Sequence, residues 1–220
     1  AIEQEYDEID FAVRAFQNTT GRIRYSSIPV VVATHGLTLG GGCEIALHAD
    51  HVQASAETYI GLVEMGVGVI PGAGGTKEMA ARASNAYFSG DIQLPTIKER
   101  YLNIGMAKVA TSAQEAIELD LLLKNRDKVT VGFNNLITDA KEAALNLANK
   151  GYTQPIPEKI KVGVLSNQIS DHLYIKKSLD AYNQNFSNIE LVYEEDMLMN
   201  ENLLIENNVN YIFIYINTCS

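Results

Sequence analysis

Fifteen of the sixteen glycines in this 220-residue chain lie ahead of Pro155, and six of them fall in two clusters, Gly40-Gly41-Gly42 and Gly72-Ala73-Gly74-Gly75. Neither a long helix nor an unbroken strand runs through such clusters. They dictate tight turns in which the backbone can approach another group closely. The residues around them set what the turns connect. Pro29 is followed by Val30-Val31-Val32-Ala33, β-branched and without polar alternation, which reads as a buried strand. The first cluster is expected to form a turn, with a short helix from Cys43 onward. The second leads into a helix starting near Thr76. Upstream, Ile2, Tyr6, Ile9, Val13 and Phe16 recur at helical spacing, predicting a helix with one buried face. Short strands are expected near 51–54 and 58–60, and helices at 97–107, 112–119 and 134–150. Leu136, Ala140, Ala143, Ala144 and Leu147 share one face of the last.

The composition changes near Pro155. The 66 residues from there onward hold ten asparagines, with four Lys/Arg against nine Asp/Glu. The Gly/Pro punctuation of 151–157 reads as a linker, which divides the chain into 1–154 and 155–220. In the second segment Lys161–Leu165, Ile189–Tyr193 and Asn210–Ile216 read as strands. His172–Phe186 and Met197–Glu206 read as helices. That βαβαβ alternation implies a small parallel sheet with right-handed crossovers, and the fold class of the whole chain is α/β.

With 46% apolar and 20% charged residues the chain can bury a core, which excludes disorder as its main state. A net charge of −10 without a basic cluster argues against nucleic acid and anionic membrane surfaces as partners. Two cysteines, Cys43 and Cys219, make no disulfide framework, so a reducing, cytoplasmic setting is expected. The longest apolar run, Tyr211–Ile216, is too short to span a bilayer. The chain opens on Ala1 without a signal peptide and reads as a trimmed or partial polypeptide.

The constellation with chemical content is Gly40-Gly41-Gly42-Cys43-Glu44 together with Glu64. Glycines at a helix start let backbone N–H groups reach a ligand, and the positive helix end favours an oxyanion. Glu44 falls in the first helical turn. Glu64 sits in the apolar stretch Gly61-Leu62-Val63-Glu64-Met65-Gly66, where a carboxyl tends toward a raised pKa and suits proton transfer. Two carboxylates flanking one water could add it across an activated double bond. Spacing alone leaves a plainer account open, in which the glycines serve backbone geometry and Glu44 complements the helix dipole.

Residues Pro29 to Glu44 (PVVVATHGLTLGGGCE) and Gly61 to Thr76 (GLVEMGVGVIPGAGGT) closely resemble the crotonase (enoyl-CoA hydratase/isomerase) superfamily. The likeness is greatest to the hydratase part of bacterial 3-hydroxyacyl-CoA dehydrogenase/enoyl-CoA hydratase fusions of fatty-acid β-oxidation, and Met106–Ile117 extends it. The resemblance implies a partial crotonase (ClpP/crotonase) spiral over 1–154. It also implies a hydro-lyase that adds water to trans-2-enoyl-CoA to give 3-hydroxyacyl-CoA. By the same resemblance Gly41 supplies an oxyanion N–H, Glu44 and Glu64 are the catalytic carboxylates, and Leu39, Gly40 and Gly72 contact substrate. No cofactor is implied beyond the coenzyme A of the substrate. A homo-oligomer, trimer or hexamer, is implied. Crotonase domains carry a further stretch ahead of the matching residues that supplies the second oxyanion N–H. Strands left without that stretch would have open edges, so marginal stability is expected.

The remaining features carry less. Gly72-Ala-Gly-Gly-Thr-Lys77 has the wrong order for a phosphate loop and reads as a tight turn. No spaced Gly-x-Gly-x-x-Gly follows a strand, so no dehydrogenase half is expected here. His48 and His51, with Asp50 and Cys43, form a weak metal candidate. His35 reads as a turn or core histidine, and Cys43 as a buried inert thiol. Glu194-Glu195-Asp196 reads as a solvated loop. Lys159–Leu165, Asn188–Glu195 and Asn210–Tyr215 look like the opening of a LysR-type effector-binding domain. That likeness makes a non-catalytic remnant or small-molecule-binding module the competing reading.

Overall fold

The computed structural model describes residues 6–86 and 94–157, with two further short strands at 160–163 and 189–192. Chain contacts divide it into two units, Ala1–Pro155 and Ile156–Ser220. In the first unit the order is α1 (Tyr6–Arg24), β1 (Val31–Leu39), α2 (Gly41–His48), β2 (His51–Gly61), a 3-10 turn (Glu64–Val67) and α3 (Gly75–Asn85). Then follow α4 (Leu94–Gly105), α5 (Ala113–Glu118), β3 (Lys128–Thr130), a 3-10 turn (Phe133–Asn135) and α6 (Leu136–Asn149). The second unit contributes β4 (Ile160–Gly163) and β5 (Ile189–Val192), paired in parallel. The helices expected in that unit, its third strand, the acidic triplet at 194–196 and Cys219 lie outside the described residues.

The sheet of the first unit has the order β1-β2-β3, all parallel. The two short strands expected near 51–54 and 58–60 are one strand. β2 runs on through Ser55-Ala56-Glu57, and a register shift opposite Thr34–Gly36 absorbs the extra residues. A bulge of this kind lets a strand keep its pairing while it bends. The core is built of small side chains: Cys43, Ala46, Leu47, Val52, Ala54, Ile60 and Met79 pack with Ala110, Ala113, Ala116 and Leu122. Alanine-rich packing brings helix and sheet backbones close together. Arg82 of α3 ties the layers by donating to the carbonyls of Leu47, Asp120 and Leu121.

Two expectations need correction. The first helical turn of α2 begins at Gly41, not Cys43. Gly40 alone takes the unusual backbone (φ 54°, ψ −124°), so one glycine suffices to turn the chain. In α1 the apolar stripe is not buried along its length: Tyr6, Ile9 and Val13 are 66, 43 and 39% exposed. Ile2 lies outside the described residues. Only the last turns of α1 reach the body of the unit, where Thr20 is buried. In α6 the predicted face is buried at Leu136 and Ala140 and fades toward its end. Among the described residues, no helix is long and apolar enough to cross a membrane.

Candidate active site

β1 ends at Leu39 and β2 at Gly61, and these two residues pair in register. The chain leaves both strands at the same sheet edge. In a parallel sheet this is where ligands bind, beyond the carboxyl ends of the strands. From β1 it passes through Gly40 into α2, and from β2 through Leu62-Val63 into the 3-10 turn that opens with Glu64. Gly40 N–H donates to Gly61 O at 2.9 Å, closing the edge.

That bond decides which glycine amide is available. The first intrahelical bond of α2 runs from Glu44 N to Gly40 O, so the helix offers no acceptor to the amides of Gly41, Gly42 and Cys43. Gly40 N–H is spent and Gly41 N–H is the first beyond it. Phe16 of α1 covers the other side of Gly41: a Cβ there would lie 2.6 Å from its ring.

The two glutamates face the same place under different conditions. Glu44 is 2% exposed. Its Oε1 accepts from Ala73 N–H and Gly75 N–H, both at 2.9 Å, while Oε2 is engaged by neither. The approach is close enough to require glycine, because a Cβ on Gly75 would lie 3.0 Å from Glu44 Cγ and 2.8 Å from Leu62. Burial raises the Glu44 pKa; the Gly75 and Ala73 amides oppose this, and the charge of Glu64 adds to it. Glu64 lies over Gly40, with Oε1 3.3 Å from where a Gly40 Cβ would stand. Both its carboxyl oxygens are buried and, among the described residues, accept no hydrogen bond.

The structure thus brings Gly40, Gly41, Glu44 and Glu64 together, with Leu39 at the end of β1 directly before them. Gly72 sits one residue before the amides that hold Glu44, and its carbonyl accepts from Gln17 Nε2 at 2.8 Å. Gln17 and Thr20 went unread in the sequence. They interrupt the apolar face of α1 at positions 17 and 20, and that polar break is the signal that marks them. Cys43 is fully buried, and burial pushes its thiol pKa up.

The two histidines do not converge. His48 Nδ1 meets Glu44 O at 2.7 Å, while His51 meets Arg126 O at 2.5 Å and Gln53 Oε1 at 3.1 Å. Among the described residues, no group of three His, Cys, Asp or Glu side chains could hold a metal ion. His35 lies in β1 rather than in a turn or the core. It is exposed, edge-on to Phe133 with ring centroids 4.4 Å apart.

Residues 2–88, which contain both glycine motifs, match the family described as enoyl-CoA hydratase/isomerase. The chain is 44% identical over 160 residues to a probable 3-hydroxyacyl-CoA dehydrogenase of Bacillus subtilis, covering 73% of this chain and 20% of that protein. It is 30% identical over 132 residues to a short-chain-enoyl-CoA hydratase of Clostridium acetobutylicum, covering 59% of this chain and 41% of that one. Both relatives are therefore much longer than the part matched here. The fold is similar to that of an enoyl-CoA hydratase from Bacillus anthracis, with a TM-score of 0.50 and 24% identity over 94% of this chain and 70% of that one. Motif, relatives and fold agree: residues 2–88 match the enoyl-CoA hydratase/isomerase (crotonase) family, and the chain is similar to its members in sequence and in fold.

Proposed function

We propose that residues 1–154 carry the hydratase site of a fatty-acid β-oxidation enzyme that adds water to trans-2-enoyl-CoA. The observation that carries this reading is the pairing of Glu44 with Glu64 beside the Gly40–Gly41 turn. One carboxylate is fixed by two amides, and the other has both oxygens buried without a partner among the described residues. The thioester carbonyl lies against Gly41 N–H, at the positive end of α2, which stabilises charge developing on oxygen. With Oε1 of Glu44 committed as an acceptor, Oε2 is the atom that takes a proton from water. The water oxygen bonds to Cβ, the double bond opens, and its electrons move onto the thioester oxygen. Glu64 gives a proton to Cα as that enolate collapses. Proton return from Glu44 to Glu64 resets the pair.

On this reading Leu39, Gly40 and Gly72 contact the substrate. The reaction uses no cofactor beyond the coenzyme A of the substrate. The working form is a cytoplasmic homo-oligomer, and 155–220 is a separate α/β appendage.

The test is hydration of crotonyl-CoA, followed as loss of the conjugated thioester absorbance. Turnover by the purified chain that falls in Glu64→Gln is the expected result. No turnover, or turnover indifferent to Glu64→Gln, overturns the reading.

A further inference from the structure

Glu44 is held by the amides of Ala73 and Gly75, so its position is only as well defined as the turn that carries them. That turn is gripped from behind. Thr20 Oγ1 donates to Ala73 O at 2.7 Å, and Gln17 Nε2 donates to Gly72 O at 2.8 Å. Thr20 is 1% exposed, and its hydroxyl also lies near Phe16 O at 3.3 Å and Gln17 O at 3.1 Å. A hydroxyl has one proton to give, and the shortest contact is to Ala73 rather than back into its own helix. Ala73 therefore accepts through its carbonyl from α1 and donates through its amide to Glu44. Helix α1 is thereby joined to Glu44 through a single residue of the turn.

We propose that Thr20 and Gln17 of α1 are positioning residues for Glu44, acting through the Gly72–Gly75 turn. The kinetic part rests on the hydratase reading above, whereas the structural part does not. Glu44 faces Glu64 from the 3-10 turn and the Ala73 and Gly75 amides from the turn into α3. On its own helix Cys43 is adjacent, and His48 bonds its carbonyl. Of these neighbours the amides favour the charged carboxylate, so a loosened turn moves the Glu44 titration to higher pH.

The test compares wild type, Thr20→Val, Thr20→Ser and Gln17→Leu by crotonyl-CoA hydration across pH. Side-chain carboxyl NMR is recorded alongside, with Glu44 assigned through Glu44→Gln. Thr20→Val is expected to lower kcat by about 10- to 100-fold with little change in KM, since a small misplacement of a reacting group has that cost. The acid limb of the kcat profile and the Glu44 titration are expected to move to higher pH together. Thr20→Ser, which keeps the hydroxyl, restores both. Gln17→Leu moves both the same way by less, and it stands in if Thr20→Val does not fold. An unmoved Glu44 titration in the folded variants overturns the proposal, as does a Thr20→Ser variant no better than Thr20→Val. If wild type fails to hydrate crotonyl-CoA, the hydratase reading falls, and the carboxyl titration alone decides for or against the clamp.

Discussion

Glu44 and Glu64 are the same chemical group at the same sheet edge, and the fold treats them in opposite ways. Glu44 stands in a helix, sealed from solvent, with one oxygen fixed by two backbone amides. Glu64 opens a single 3-10 turn whose Met65 and Val67 are exposed, and among the described residues neither of its carboxyl oxygens has a partner. Two carboxyl groups at one site can thus be held asymmetrically. One carboxylate is built into the framework and contributes to it, whereas the other is kept free of ties at a cost to the framework.

The most forceful way to break this comparison is Glu64→Gln. On the proposed chemistry kcat falls about 10²- to 10⁴-fold, the usual worth of a general acid–base group. Because Glu64 holds nothing in place, Tm moves by less than about 3 °C. A large loss of Tm would make Glu64 a structural residue after all. Glu44→Ala reverses the pattern. Removing the acceptor strands two buried amides, so urea unfolding is expected to show a loss of about 2–4 kcal/mol. A loss no larger than that of Glu64→Ala would end the distinction between a framework carboxylate and a free one.

Gly40→Ala sharpens the geometry between the two sides. The positive φ strains any side chain, and the new methyl would press on Glu64 Oε1. A destabilisation of about 1–2 kcal/mol is expected from unfolding curves, together with lower turnover. Unchanged stability would mean that Gly40 is not held in that conformation.

The smallest expected effect is a pH dependence on the Glu44 side. Burial lowers the His48 pKa below its ordinary 6.5, although Glu78 pulls the other way. As pH falls through 6.5 the unfolded chain takes up the proton first, so stability present at neutral pH is lost below that point. Burial would raise Glu78, but Lys77, Arg24 and His48 outweigh it and hold its pKa below 4.5. The Glu78 loss therefore belongs to a lower window, opening only near 4.5. Stability measured against pH should decline less steeply below about 6.5 in His48→Gln than in wild type. Parallel curves would show that His48 is not the group behind that loss.

Much of the site could be read from local order. The glycine cluster, Glu44 in the first helical turn and Glu64 in an apolar stretch are contiguous patterns, and the turn into α3 begins one residue from where the spacing places it. The merged β2 was less legible, because Ser55-Ala56-Glu57 looks like an interruption until a bulge absorbs it. The α1 stripe misled for a related reason: helical spacing says which residues share a face, but not how far along the helix another layer is present to cover them.

The elements around the site follow from local order, because φ preference, helix starts and apolar spacing act over a few residues. Which carboxylate is anchored and which is free follows from packing. The amides that hold Glu44 lie 29 and 31 positions away, and the Thr20 hydroxyl that steadies them lies 53 positions from its acceptor. Hydrogen bonds of that span exist only once the layers have packed, since no local preference of the chain encodes their direction or length.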